Sequence, residues 1–228
     1  MEAEIPQINF RYLYNHFHTP ITYVDCGSMC APHNSSGKPF CCDICQAVPA
    51  LYKQEWVYLQ NNTNLWKKWN GNECPERKER IEELLASTPH TMLLGACLGP
   101  HDCQRNFRAI SCRQFPFFPY ITEDYRFIGL AYEWAFEETC WVINHLDQVL
   151  PAYRQEFITT YDALFDQWPH EMDSYADLSA EMRETFIQQK RRIPILHRNG
   201  QDYLLSPSSD KLARTDLSTY RKFGSYLG

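Results

Sequence analysis

Residues 119–134, PYITEDYRFIGLAYEW, read as two strands joined by a turn at Glu123-Asp124. Aromatic and β-branched residues fill both arms, and the acidic pair between them is turn chemistry. Working outward toward the C-terminus, the pattern changes from strand to helix. Tyr153, Phe157, Tyr161, Leu164, Phe165 and Trp168 fall at i, i+4, i+8, i+11, i+12 and i+15, one face of a helix. A stripe of this kind belongs to the core rather than to a cofactor pocket. A second helix is predicted from Ser179 to Arg192 with Met182 and Phe186 facing inward. Lys190-Arg191-Arg192 suits its last turn, where cations meet the negative end of the helix dipole. In IPILHRNGQDYLL, residues 193–205, Asn199-Gly200 between apolar runs signals a hairpin. The closing stretch, 206–228, either packs loosely or crosses back over the domain.

Toward the N-terminus, Val48, Leu51, Tyr52, Trp56 and Leu59 recur at helical spacing and predict an amphipathic helix. NNTNLWKKWNGNE, 61–73, reads as loop, punctuated by Asn and Gly. Pro75 opens a short helix, PERKERIEELLAS, with Ile81, Leu84 and Leu85 on its buried side. Irregular backbone is expected around Cys97–Cys112, given Gly95, Gly99, Pro100 and Pro116. The sum is a mostly helical α+β single domain with irregular cysteine-rich loops and one or two short β-hairpins. Within it, 24–145 is the cysteine-rich region, and 146–228 is helical with a C-terminal hairpin and tail.

The chain has 228 residues, 44% hydrophobic and 22% charged, enough to bury a sizeable core without covalent staples. A net charge of −6 argues against a partner held through phosphate contacts. No stretch approaches the roughly 18 apolar residues of a membrane span. MEAEIPQINFRYLYNH, 1–16, carries acids where a signal peptide has a basic region and an apolar core. A cytoplasmic location follows as the expectation, and the sequons Asn34-Ser35-Ser36 and Asn61-Asn62-Thr63 matter only for an exported chain.

All ten cysteines lie at or before Cys140. In order they run C26-x3-C30-x10-C41-C42-x2-C45, then Cys74, then C97-x5-C103-x8-C112, then Cys140. In a reducing compartment such a set points to metal binding or catalysis rather than disulfides. Thiolates are soft ligands that suit zinc and iron–sulfur clusters, and two tight groups can jointly close one or two sites. Cys45 and Cys74 are the ones read as small buried hydrophobes. His33 and His101, each after a proline, are read as loop histidines. No Gly-rich phosphate loop and no Cys–His–Asn nucleophile arrangement occurs, and nine glycines leave little room for a dinucleotide site.

With the Cys41-Cys42 doublet and Cys112-Arg113-Gln114-Phe115-Pro116 in view, residues 24–145 resemble the YkgJ-type zinc- or iron-chelating family. The resemblance implies a metal held by Cys26, Cys30, Cys41, Cys42, Cys97, Cys103, Cys112 and Cys140. Cys26-Gly27-Ser28-x-Cys30 followed by the doublet also resembles the flagellin lysine-N-methylases. That likeness implies an iron–sulfur cluster and S-adenosylmethionine, although no adenosylmethionine motif is present. Arg113, beside a ligand cysteine, would donate hydrogen bonds to the cofactor and offset the negative charge of four thiolates.

The leading expectation is therefore a cytoplasmic protein holding a [4Fe–4S] cluster or zinc through these thiolates. Its partner would be the metal, without nucleic acid or membrane. One alternative is a cluster-dependent transferase, such as a protein lysine N-methyltransferase, acting on a protein substrate. The other is a disulfide-bonded interaction module.

Overall fold

A computed structural model describes residues 7–227. The acidic residues 1–6, part of the argument against a signal peptide, lie outside them. The fold is α+β with two small antiparallel sheets, as the strand-then-helix pattern predicts. The chain clusters into two compact units. One gathers the chain up to His18 with Gly27–Gln114, and the other gathers Thr19–Cys26 with the chain from Phe115 onward. No helix among the described residues is long and apolar enough to cross a membrane.

The first unit begins with helix α1 (Phe10–His16), capped by the Asn9 side chain, which accepts from the Tyr12 N–H. Phe10, Leu13 and Tyr14 form its buried face. A short helix, α2 (Cys26–Cys30), opens the cysteine-rich stretch. Strand β1 (Ala50–Tyr52), helix α3 (Lys53–Asn62), strand β2 (Trp66–Lys68), helix α4 (Lys78–Ser87) and strand β3 (Met92–Cys97) follow. β3 is central, pairing with β1 through Leu51↔Leu93 and with β2 through Trp66↔Cys97. Helix α5 (Ile110–Gln114) closes the unit.

Two sequence expectations fail here. The apolar run beginning at Val48 does not start a helix, because Ala50–Tyr52 pairs with β3 and only Trp56 and Leu59 of the stripe are helical. The 61–73 segment is likewise not all loop, since Trp66–Lys68 is a strand. Both strands are three residues long, too short to show a period-2 pattern. The α4 reading holds for Ile81 and Leu84, which pack on Trp69, Leu94 and Ala96, whereas Leu85 is exposed.

In the second unit, β4 (Phe117–Ile121) and β5 (Phe127–Tyr132) are the hairpin expected around Glu123-Asp124. Helix α6 (Pro151–Gln167) carries Tyr153, Phe157, Tyr161 and Leu164 with no solvent exposure at all. Burying each such side chain contributes about 1.5–3 kcal/mol. Helix α7 (Glu171–Gln188) buries Met182 and Phe186 and starts earlier than the spacing alone suggests. β6 (Ile193–His197) and β7 (Asp202–Leu205) form the second expected hairpin, turned at Gly200, whose φ of +83° needs glycine. β8 (Leu212–Arg214) adds an edge, giving the order β4-β5-β6-β7-β8.

The other edge is closed by α7. Ser179 Oγ accepts from the Ile121 N–H at 2.9 Å, and Arg183 donates to the Ile121 carbonyl at 3.0 Å. Lys190-Arg191-Arg192 lies just beyond α7 rather than in its last turn. Arg191 instead pairs with Glu137 and lies over the rings of Phe186 and Phe223. The tail crosses back, burying Leu217 and Phe223, and the Phe223 N–H donates to Asn144 Oδ1.

Candidate functional site

The chemistry-bearing residues of the first unit gather around three connected features. The first is the cysteine-rich loop of residues 31–48. Asp43, 8% exposed, organises it: Oδ2 accepts from Asn34 Nδ2 at 3.0 Å and Ser36 Oγ at 2.8 Å, and Oδ1 from the Cys45 N–H at 3.1 Å. Burial raises the Asp43 pKa, but these bonds outweigh it and hold it below the usual value. Cys41 and Cys42 sit in a 3-10 turn with their sulfurs 4.0 Å apart.

The second feature is a disulfide between Cys45 and Cys74, with Cα atoms 5.6 Å apart. Cys74 is 1% exposed, so its burial was legible, but the covalent partner was not. Around the disulfide, Arg77 donates to the Cys45 carbonyl and Arg80 to that of Gln46 at 3.0 Å. Ile44 and Val48, on either side of Cys45, pack against Trp69, Leu94 and Ala96. The disulfide thus fastens the loop over a small apolar core.

The third feature is the 97–113 segment. Trp66 Nε1 ties down its backbone by donating to the Phe107 carbonyl at 2.8 Å, and Thr63 Oγ1 holds the Gln104 side chain by donating to its Oε1 at 2.9 Å. Cys97 ends β3, Cys103 lies in the loop, and Cys112 sits in α5. Arg108 Nε donates to Cys103 Sγ at 3.0 Å. Burial works against the Arg108 charge, but the bond to Cys103 and the charges of Cys103, Cys42 and Cys112 prevail and raise its pKa. Burial also pushes the thiols of Cys97 and Cys112 up, and the charges of neighbouring cysteines, Cys42 among them, add to this.

Next to this segment lies a buried acid. Glu55 is fully buried; Oε1 accepts from Tyr14 Oη and the Ile110 N–H, both at 2.7 Å, and Oε2 from the Tyr52 N–H at 3.3 Å. Burial lifts its pKa to about 7 despite these bonds and the Arg113 charge.

These positions correct the metal reading. Among the described residues, no group of three or more His, Cys, Asp or Glu side chains is placed to hold a metal ion. Of the expected ligands, Cys26 and Cys140 belong to the second unit, while Cys30, Cys41, Cys42, Cys97, Cys103 and Cys112 belong to the first. Cys30 turns back onto its own helix, with Sγ 3.5 Å from the Gly27 carbonyl. The cation that Cys103 faces is the guanidinium of Arg108.

Arg113, expected beside a cofactor, is turned to the backbone. Its donors reach the carbonyls of Arg108, Tyr14, Phe17 and Asn106, and its plane lies 4.1 Å from the Tyr14 ring centroid. It fastens the 105–113 turn to the end of α1.

Asp43, Glu55 and Arg108 were not singled out from the sequence. Asp43 had a signal, since an Asp two residues before a turn residue often makes an Asx turn. Glu55 sits one residue from apolar Trp56 and gives no hint of its burial. Comparisons of the chain with known protein families, curated proteins and solved structures find no match.

Proposed function

We propose that the chain is a disulfide-bonded interaction module whose first unit is fastened by Cys45–Cys74. The disulfide carries this reading: it spans 29 positions and fixes a loop that would otherwise rest on a core of three buried side chains. The net charge of −6 gives the surface a long-range attraction for basic partners, so a cationic protein surface is the class it suits. Because such bonds persist in oxidising surroundings, the proposal places the chain in an oxidising compartment instead of the cytoplasm first expected.

Thiol counting tests it. Denatured, non-reduced protein from a preparation alkylated at lysis is expected to show eight thiols, the ten cysteines less the linked pair. A count of ten overturns the proposal.

A further inference from the structure

The chain holds two Asn-Gly pairs, Asn70-Gly71 and Asn199-Gly200, and their local geometry is closely matched. Both glycines are left-handed, with φ of +86° and +83°. Both asparagines are exposed and close the same side-chain turn: Asn70 Oδ1 accepts from the Asn72 N–H at 3.1 Å, and Asn199 Oδ1 from the Gln201 N–H at 3.0 Å. What holds that turn differs. In the β6–β7 hairpin, Asn199 Nδ2 donates to Tyr203 Oη at 3.0 Å, and the Gly200 N–H donates to the His197 carbonyl at 3.0 Å. At the other pair, Asn70 Nδ2 and the Gly71 N–H make no hydrogen bond among the described residues.

A backbone nitrogen that follows asparagine can attack the side-chain amide carbon, and glycine allows this best because no Cβ blocks the approach. Position 71 accepts nothing larger, since a Cβ there would lie 2.4 Å from Ile81 Cγ2. The Asn72 N–H also faces Asn70 Oδ1, the atom where negative charge builds during the attack, and so lowers its cost.

We propose that Asn70-Gly71 is a self-modifying site, converted by water to aspartate and isoaspartate, while the matched pair Asn199-Gly200 is protected by its hairpin. In the first step hydroxide takes the Gly71 N–H proton and the nitrogen attacks Asn70 Cγ. The N–Cγ bond forms, the Cγ–Nδ2 bond breaks, and the amide nitrogen leaves as ammonia after taking a proton from water. A five-membered imide now joins the two residues. In the second step water adds to one imide carbonyl, and the bond from that carbon to nitrogen breaks. Opening at Cγ leaves aspartate; opening at the main-chain carbonyl leaves isoaspartate, in which the chain runs through the side chain. One nitrogen is exchanged for one oxygen, and nothing is oxidised or reduced.

The product changes the first unit. Position 70 gains a negative charge, and isoaspartate adds one carbon to the main chain. The segment is anchored at both ends, by the Trp69 N–H on the Leu94 carbonyl at 2.9 Å and by the bond from Cys74 to Cys45. The extra atom has to be absorbed between these anchors. The chemistry itself does not use the disulfide and stands without it.

The test is the intact, non-reduced full chain aged in mildly alkaline buffer, sampled over time, digested and mapped by mass, with aspartate and isoaspartate peptides separated by chromatography. Each bond that ties the Asn199 turn slows the attack about threefold to tenfold, so Asn70 is expected to convert about tenfold to a hundredfold faster than Asn199. In concentrated urea, which dissolves the hairpin, the two rates converge. Tyr203→Phe removes one bond from Asn199 Nδ2 and speeds conversion there about threefold to tenfold, with Asn70 unmoved as the internal reference.

Conversion of Asn199 as fast as Asn70 in the folded protein overturns the proposal. So does a ratio that survives in urea, because the neighbouring sequence and not the fold would then set it. A Tyr203→Phe chain in which Asn199 reacts no faster removes the argument from hydrogen bonding and overturns it as well. The sample taken before ageing reads the Cys45–Cys74 peptide. Its absence counts against the disulfide-bonded module and leaves the Asn70 result standing.

Discussion

Opening the Cys45–Cys74 disulfide is the most informative perturbation of the first unit. The bond closes a loop of 29 positions, and the chain-entropy relation for such a loop gives about 3.5 kcal/mol of stabilisation at 25 °C. Reduction isolates this contribution because it breaks only the S–S bond and adds one hydrogen to each sulfur. Replacing both residues with alanine adds a cavity cost on the order of 1 kcal/mol, since Cys74 is almost completely buried. The local readout is amide exchange at Gly95, whose N–H donates to the Pro49 carbonyl, and at Trp69, whose N–H donates to that of Leu94. If these amides exchange by opening of the unit, 3.5 kcal/mol corresponds to about 300-fold faster exchange on reduction. Amides of α6, in the second unit, serve as the internal reference. Exchange at Gly95 and Trp69 that changes less than about twofold on reduction refutes the reasoning.

Three further outcomes are expected. Glu55 has a folded pKa near 7 against an ordinary 4.5, so between those pH values the folded state holds a proton that the unfolded chain has released. Stability therefore falls as pH rises through that window, by about 3 kcal/mol from this group. Glu133 shifts the same way through its burial and Glu181, so Glu55→Gln should reduce the slope of denaturant-derived stability against pH without abolishing it. An unchanged slope contradicts the assignment. Arg113→Met strips donors from the carbonyls of Arg108, Tyr14, Phe17 and Asn106, and the expected loss of about 3–5 kcal/mol is read by urea denaturation. Gly129→Ala places a Cβ 2.4 Å from the Leu196 carbonyl oxygen at a φ of +154°, so the β5–β6 pairing should loosen, seen as a lower melting temperature.

How legible the molecule was in its sequence depended on the length of each pattern. The α6 stripe and the Asn199-Gly200 hairpin were readable because long periodicity and turn chemistry agree there. β1 and β2 were not, because three residues cannot show a period and their pairing with β3 is a long-range event. The candidate site divided in the same way. The sequence set the cysteines apart by their spacing, but spacing says nothing about where each sulfur points. Cys45 found Cys74 across 29 positions, and Cys103 found Arg108, a partner outside the cysteine pattern altogether. Arg113 was singled out for its charge beside Cys112, yet its charge is turned to backbone carbonyls of the 105–113 turn and of α1.

The central claim is that this chain is covalently fastened at one place and keeps its other cysteines as thiols. Non-reduced peptide mapping of protein alkylated at lysis tests it most directly. The account predicts one linked pair, joining the peptides that carry Cys45 and Cys74, with the remaining eight cysteines alkylated. Recovery of Cys45 and Cys74 as alkylated thiols, or of either one linked to another cysteine, contradicts it.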